Sequence, residues 1–218
     1  MKKVIAAIIL CGVALIGFLG IQWHEKSTQK ELYQEAAVFF EEKDYKKSIQ
    51  YFEEAMEHKN IFTGSLGKEL SYYQAEAYAN LEEYDKAIAI YDELIQDEPK
   101  ESMHYMLKEY CLYEAGKYEE AAKTYETGYE MTKEEEFLSL LANLYVSTGE
   151  YDKALAIVAE SDSVEEETIQ QELQFLDIVI CEKQQDYAGA YEKAASYCET
   201  YPEDEKGQKE KDFLESRK

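Results

Sequence analysis

The sequence predicts an all-α chain: an α-solenoid of about five helix–turn–helix repeats, preceded by one transmembrane helix. Three observations carry that reading. A tyrosine followed three places on by a small residue recurs at Tyr45, Tyr84, Tyr118, Tyr151 and Tyr187, at spacings of 39, 34, 33 and 36 residues. A period near 34 marks a helical unit that buries its apolar face only by stacking on copies of itself. Residues 4–23 hold no charged side chain. The two prolines, Pro99 and Pro202, each fall 15 residues after an anchor tyrosine, where a helix begun at that tyrosine would stop.

The elements follow in chain order. Residues 1–3 include Lys2 and Lys3 and are expected to stay cytoplasmic. Residues 4–23 then form a transmembrane signal anchor, since twenty helical residues span about 30 Å, the thickness of the hydrocarbon core. Trp23 sits at the expected far interface. The run is longer than the apolar region of a cleaved signal peptide, about 7–15 residues, and Phe18-Leu19-Gly20 lacks a small-x-small cleavage site. Leu10 before Cys11 stands where a lipid-attachment motif needs a small residue. An uncleaved anchor is therefore favoured, with the repeats extracytoplasmic. Residues 24–28 read as a linker.

The array is expected over 29–202, in units of about 29–62, 68–101, 102–134, 135–165 and 171–202. Within each unit a first amphipathic helix (29–42, 67–82, 101–115, 135–148, 166–184) leads by a short turn into a second that opens at the tyrosine. Tyr84, Ala87, Ile88 and Tyr91 lie at i, i+3, i+4 and i+7, one face of that second helix. The other four anchors repeat the stripe. Gly116 and Gly149 sit where the first helix ends and a left-handed residue is favoured. Asp44 and Asp186 are expected to cap the next helix. The extra residues between the first two units fall around 61–65, expected as a longer loop. Residues 203–218 are mostly charged and read as a C-terminal cap or tail, with Gly207 weakening any helix there.

These features resemble the tetratricopeptide repeat, over about residues 29–202. The resemblance implies a right-handed solenoid in which a small residue of helix A packs on helix B. Ala36, Ala75 and Ala142 match that place; Glu109 and Ile178 do not, so helix A of units three and five is expected to pack differently. Tyr105 matches the large first aromatic of helix A, Leu32 and Leu138 substitute for it, and Ser71 and Gln174 miss it.

The family pattern also implies that helix A lines a concave groove. Projected on it, the partner-binding residues are Tyr33, Phe40, Tyr72, Glu76, Met103, Met106, Tyr110, Tyr113 and Asn143. Methionine and tyrosine give large, adaptable contact area. Glu69, Glu76, Glu114 and Glu136 would edge the groove. The partner expected is a protein or peptide with apolar anchors and some basic residues. Packing between adjacent A helices is the competing account of each of these side chains. The carboxylate clamp of one subclass is matched only at Asn143, which argues against a chaperone tail as the ligand.

A net charge of −24 disfavours nucleic acid, whose phosphates need a basic footprint. The membrane contact expected is the N-terminal helix itself. His24, His58 and His104 are scattered, and no phosphate loop, dinucleotide motif or nucleophile elbow occurs. No catalytic, cofactor-binding or metal residues are expected, and the chain is read as a binding protein, not an enzyme. Cys111, Cys181 and Cys198 read as small buried side chains, with a Cys181–Cys198 disulfide as the alternative. A fixed or self-associating subunit of a membrane or envelope complex is the alternative function.

Overall fold

The computed structural model describes residues 2–58, 60 and 64–218, with the side chains of residues 2–13 and Ser65 left out of the description. Among the described residues all regular structure is helical, and the chain divides into two compact units, Met1–Glu98 and Pro99–Lys218.

The first unit holds α1 (Lys2–Glu41), α2 (Tyr45–Glu57), α3 (Gly64–Asn80) and α4 (Tyr84–Asp97), each packed on the next. Small residues set the approach of α1 and α2: Ala36 is fully buried, and Ser48 Oγ donates to the Ala36 carbonyl at 2.9 Å. Around them lie Phe52, Ala55 and Leu70, all without solvent exposure. Burying a side chain of the size of Phe52 or Leu70 contributes about 1.5–3 kcal/mol. Ala75 and Ala77 of α3 and Ala87 and Tyr91 of α4 are buried in the same way.

Residues 24–28 are not a linker. α1 runs through them without a break, because no glycine or proline interrupts the chain there. They are also tied down: Glu25 Oε2 lies 2.7 Å from His58 Nδ1, and just beyond them Asn60 Nδ2 donates to Gln29 Oε1 at 3.0 Å. Among the described residues no helix is long and apolar enough to cross a membrane. Within the expected span, the side chains of residues 4–13 lie outside the description. So do residues 61–63 of the expected longer loop; Gly64 already opens α3.

The second unit holds α5 (Ser102–Glu114), α6 (Tyr118–Thr132), α7 (Glu136–Ser147), α8 (Tyr151–Val158), a 3-10 turn at Ser161–Ser163, α9 (Glu167–Lys183), α10 (Tyr187–Thr200) and α11 (Glu205–Glu215). α5 packs on α6, α6 on α7, α7 on α8 and α9, α9 on α10, and α10 on α11. The two helices that lack the family's small residue still seat on their neighbours. Ile178 is fully buried in one cluster with Ala190 and Ala194. Glu109 is buried as well, and Tyr125 Oη donates to its Oε2 at 2.7 Å.

All five anchor tyrosines are the first residue of their helices. The turn before each is the same: the residue two places ahead has positive φ, at Lys43 (61°), Glu82 (60°), Gly116 (73°), Gly149 (79°) and Gln185 (64°). In each turn two backbone N–H groups return to the ending helix. For the second turn these are Glu82 N to Ala79 O at 3.0 Å and Glu83 N to Tyr78 O at 2.9 Å. That pair of bonds is the Schellman motif. Asp44 and Asp186 cap the following helices, accepting from Lys47 N at 3.3 Å and Gly189 N at 2.9 Å.

Residues 205–215 form a helix, and Gly207 has a packing role there. A Cβ at Gly207 would stand 2.5 Å from Tyr197 Cε1, so glycine is what lets α11 close on α10. Leu214 is fully buried in that contact. Asp204 fixes the entry, accepting from Tyr197 Oη at 2.6 Å and from Lys206 N at 2.9 Å.

Candidate functional site

The nine residues that the sequence places in a groove divide between the two units. In the first unit Tyr33 and Phe40 are half-buried in an aromatic cluster. Tyr33 lies 6.3 Å from Phe52 and 6.2 Å from Tyr73, and Phe40 lies 5.7 Å from Tyr73, centroid to centroid. Tyr33 Oη donates to Glu69 Oε1 at 2.6 Å, and burial with that carboxylate pushes its hydroxyl pKa well up. Packing between α1, α2 and α3 accounts for both residues. Tyr72 meets Tyr73 edge-on at 5.5 Å. Glu76 is half-buried on α3, and burial raises its carboxyl above the ordinary range.

In the second unit α5 separates two faces. Its inner face carries Tyr105, Glu109, Cys111 and Leu112, all buried. Tyr105 Oη donates to the Pro99 carbonyl at 2.9 Å and its ring meets Phe137 edge-on at 6.1 Å, which fixes the rotation of the helix. Burial and the neighbouring Glu109 carboxylate push the Cys111 thiol up to about 11. At neutral pH it is a thiol and a poor nucleophile.

The outer face carries Met103, Met106, Tyr110 and Tyr113, at i, i+3, i+7 and i+10, so they form one stripe. Met103 is 48% exposed and Tyr110 49%. Met106 and Tyr113 are half-buried, Tyr113 against Tyr118 at 5.2 Å. Tyr118, Met131 and Phe213 of the second unit are exposed to a similar degree, and what distinguishes Met103 and Tyr110 is that they share one stripe with two further large apolar side chains. Asn143 is exposed on α7, where its amide donates to the Ser139 carbonyl at 2.8 Å. Its side chain is thereby held along its own helix.

The chemistry that the α5 stripe offers is contact. Met103, Met106, Tyr110 and Tyr113 offer thioether and ring surface with two hydroxyls and no charge. Among the described residues no group of three His, Cys, Asp or Glu is arranged to hold a metal ion. Cys111, Cys181 and Cys198 are buried and free, with no disulfide between Cys181 and Cys198. Burial raises the thiol pKa of both.

Family models of the tetratricopeptide repeat match residues 112–169 and 69–101. No curated protein matches the chain. Solved structures resemble it over most of its length. A tetratricopeptide repeat protein from Parabacteroides merdae ATCC 43184 superposes with a TM-score of 0.61 at 15% identity, covering 86% of this chain and 72% of that one. MamA (41-end) from Desulfovibrio magneticus RS-1 gives 0.55 at 18% identity, covering 82% and 97%. A TPR repeats protein from Bacteroides fragilis NCTC 9343 gives 0.54 at 12% identity, covering 87% and 99%. At such identities the likeness is one of fold.

Proposed function

Since the chain is built of tetratricopeptide-type helical repeats, we propose that it is a membrane-anchored adaptor that holds a partner protein against the outer face of α5, without catalysis. The observation that supports this most directly is the Met103–Met106–Tyr110–Tyr113 stripe, half open to solvent on a helix whose other face is locked into the core. Methionine repacks around varied shapes, and tyrosine combines a large ring with a hydroxyl that stays hydrated. The partner segment suited to this stripe carries apolar anchors. Basic residues beside them would meet the protein's net charge of −24.

Anchoring is proposed through residues 4–23, with the repeats extracytoplasmic. In support, Ile16, Ile21 and Trp23 are 73%, 61% and 72% exposed on α1, an apolar surface that the described residues leave open at those positions. A bilayer is the solvent in which such a surface is stable.

The test is retention of partner by the full-length protein in native membranes, beside a Met106→Glu/Tyr110→Glu variant with unchanged circular dichroism. Each charge would be placed in a surface meant to be dehydrated on binding, at about 1–3 kcal/mol per residue. A partner held by the parent and lost by the variant is the expected outcome. Equal retention by both would move the binding surface away from α5 and overturn this assignment.

A further inference from the structure

Just beyond the uncharged run, α1 presents two different sides. Toward the protein, Gln29 is buried and bonded to Asn60, and Glu25 Oε2 lies 2.7 Å from His58 Nδ1. On the other side Trp23, Lys26, Ser27 and Lys30 fall at i, i+3, i+4 and i+7, one stripe of the helix. All four are exposed, Trp23 by 72%, and together they line a recess of about 270 Å³.

The lining joins an indole ring to two ammonium groups and a hydroxyl. A free anion would leave the ring unused, and a hydrocarbon would take water from the ammoniums without replacing it. An amphiphile with an anionic head serves both. The position of the lysines fits the same ligand. With residues 4–23 in a bilayer, Lys26 and Lys30 stand about 4.5 and 10.5 Å beyond Trp23 along the helix axis. Side chains on a helix lean toward its N-terminus, which here is the bilayer side. Their stems therefore carry the ammoniums back to the headgroup layer, which is about 5–7 Å deep. Glu31, the nearest acid on that flank, starts farther out on a shorter stem, and Ser27 Oγ donates to it at 3.5 Å.

We infer that this stripe binds the phosphate group of an anionic phospholipid, held by Lys26 and Lys30 against the ring of Trp23. The inference rests on the reading that residues 4–23 span a bilayer, and it adds the class of lipid met at the surface where the repeats emerge. Anionic rather than zwitterionic lipid follows from charge. Two ammoniums facing one phosphodiester leave an excess that a choline or ethanolamine head would repel. The protein's net charge of −24 repels an anionic membrane as a whole. Exposed charges are screened beyond about 8–10 Å, so the lysines nearest the phosphates decide the contact.

Trp23 is the chain's single tryptophan, so its fluorescence reads the site directly. The full-length protein is reconstituted in mixed phosphatidylcholine–phosphatidylglycerol vesicles, with bromine on the acyl chains of one lipid or the other. Bromine quenches an indole that it touches. At equal mole fraction, brominated phosphatidylglycerol should quench the more, with a relative affinity of about fivefold or above. Lys26→Gln/Lys30→Gln should abolish the preference and Lys26→Arg/Lys30→Arg should keep it, both with unchanged circular dichroism. Equal quenching by the two lipids would overturn the inference and leave the anchor in place. A preference that survives in the glutamine variant would do the same. Quenching by neither lipid would overturn the anchor itself, and this site with it.

Discussion

Glu109 stands where the repeat pattern calls for a small residue, and its carboxylate is buried beside Tyr125. Burial raises its pKa, and the Tyr125 hydroxyl offsets part of that rise. The folded protein thus holds this proton more tightly than the unfolded chain does. The stability it contributes is present below the ordinary glutamate range and is lost as pH rises through the raised value. Glu109→Gln keeps an oxygen acceptor for Tyr125 and removes the ionisation. Urea unfolding from pH 4 to pH 8 should show a shallower decline of stability for the variant. Above the raised value, where the parent buries a charge, the variant should equal or exceed it. Parallel curves for the two proteins would show that Glu109 does not carry the slope.

The turns carry the next prediction. All five place a left-handed residue two positions before the anchor tyrosine, yet only Gly116 and Gly149 are glycine there. Lys43, Glu82 and Gln185 bear a Cβ in a conformation that costs about 1–2 kcal/mol for an L-residue. Glycine removes that cost and adds about 0.5–1 kcal/mol of unfolded-state entropy. Glu82→Gly should therefore raise stability by about 1 kcal/mol, seen as a higher urea midpoint at constant slope. A lower midpoint would mean that the Glu82 side chain holds the turn.

This also shows what a sequence can disclose at the scale of an element. The anchor tyrosines and the Asp44 and Asp186 caps are legible because side-chain spacing and capping chemistry mark them directly. Lys43, Glu82 and Gln185 are not, because nothing about those residue types signals positive φ. The early end of α8 had a signal in the turn-forming run Ser161-Asp162-Ser163. The recess at Trp23 and Lys30 had none, because the side of α1 that stays open is decided by contacts to His58 and Asn60, far along the chain.

For the molecule as a whole, the prediction concerns the proposed anchor. If residues 4–23 span a bilayer, the full-length protein should resist alkaline carbonate extraction from membranes. Ile16→Arg/Leu19→Arg should release it, each charge costing at most about 2.5–3.5 kcal/mol, the figure for the centre of a span. Extraction of the parent protein would refute the anchor. The sequence also assigned Tyr33 and Phe40 to the same kind of surface as Met103 and Tyr110. Only the assembled fold separates them, because an aromatic on an amphipathic helix looks the same whether a neighbouring helix or a partner covers it. Tyr33 and Phe40 are covered by Phe52 and Tyr73, and Met103 and Tyr110 are half open.

The unbroken course of α1 has a mechanical consequence. Forty residues at 1.5 Å each make a shaft about 60 Å long. One end is the apolar run and the other is the seat of Ala36 against Ser48. A shaft without a joint transmits torque. Rotation of its apolar end by one residue, 100° about the axis, would drive Ala36 out of that seat and Gln29 away from Asn60. Anything that gripped residues 14–23 would therefore be geared to the first helix pair through the helix axis.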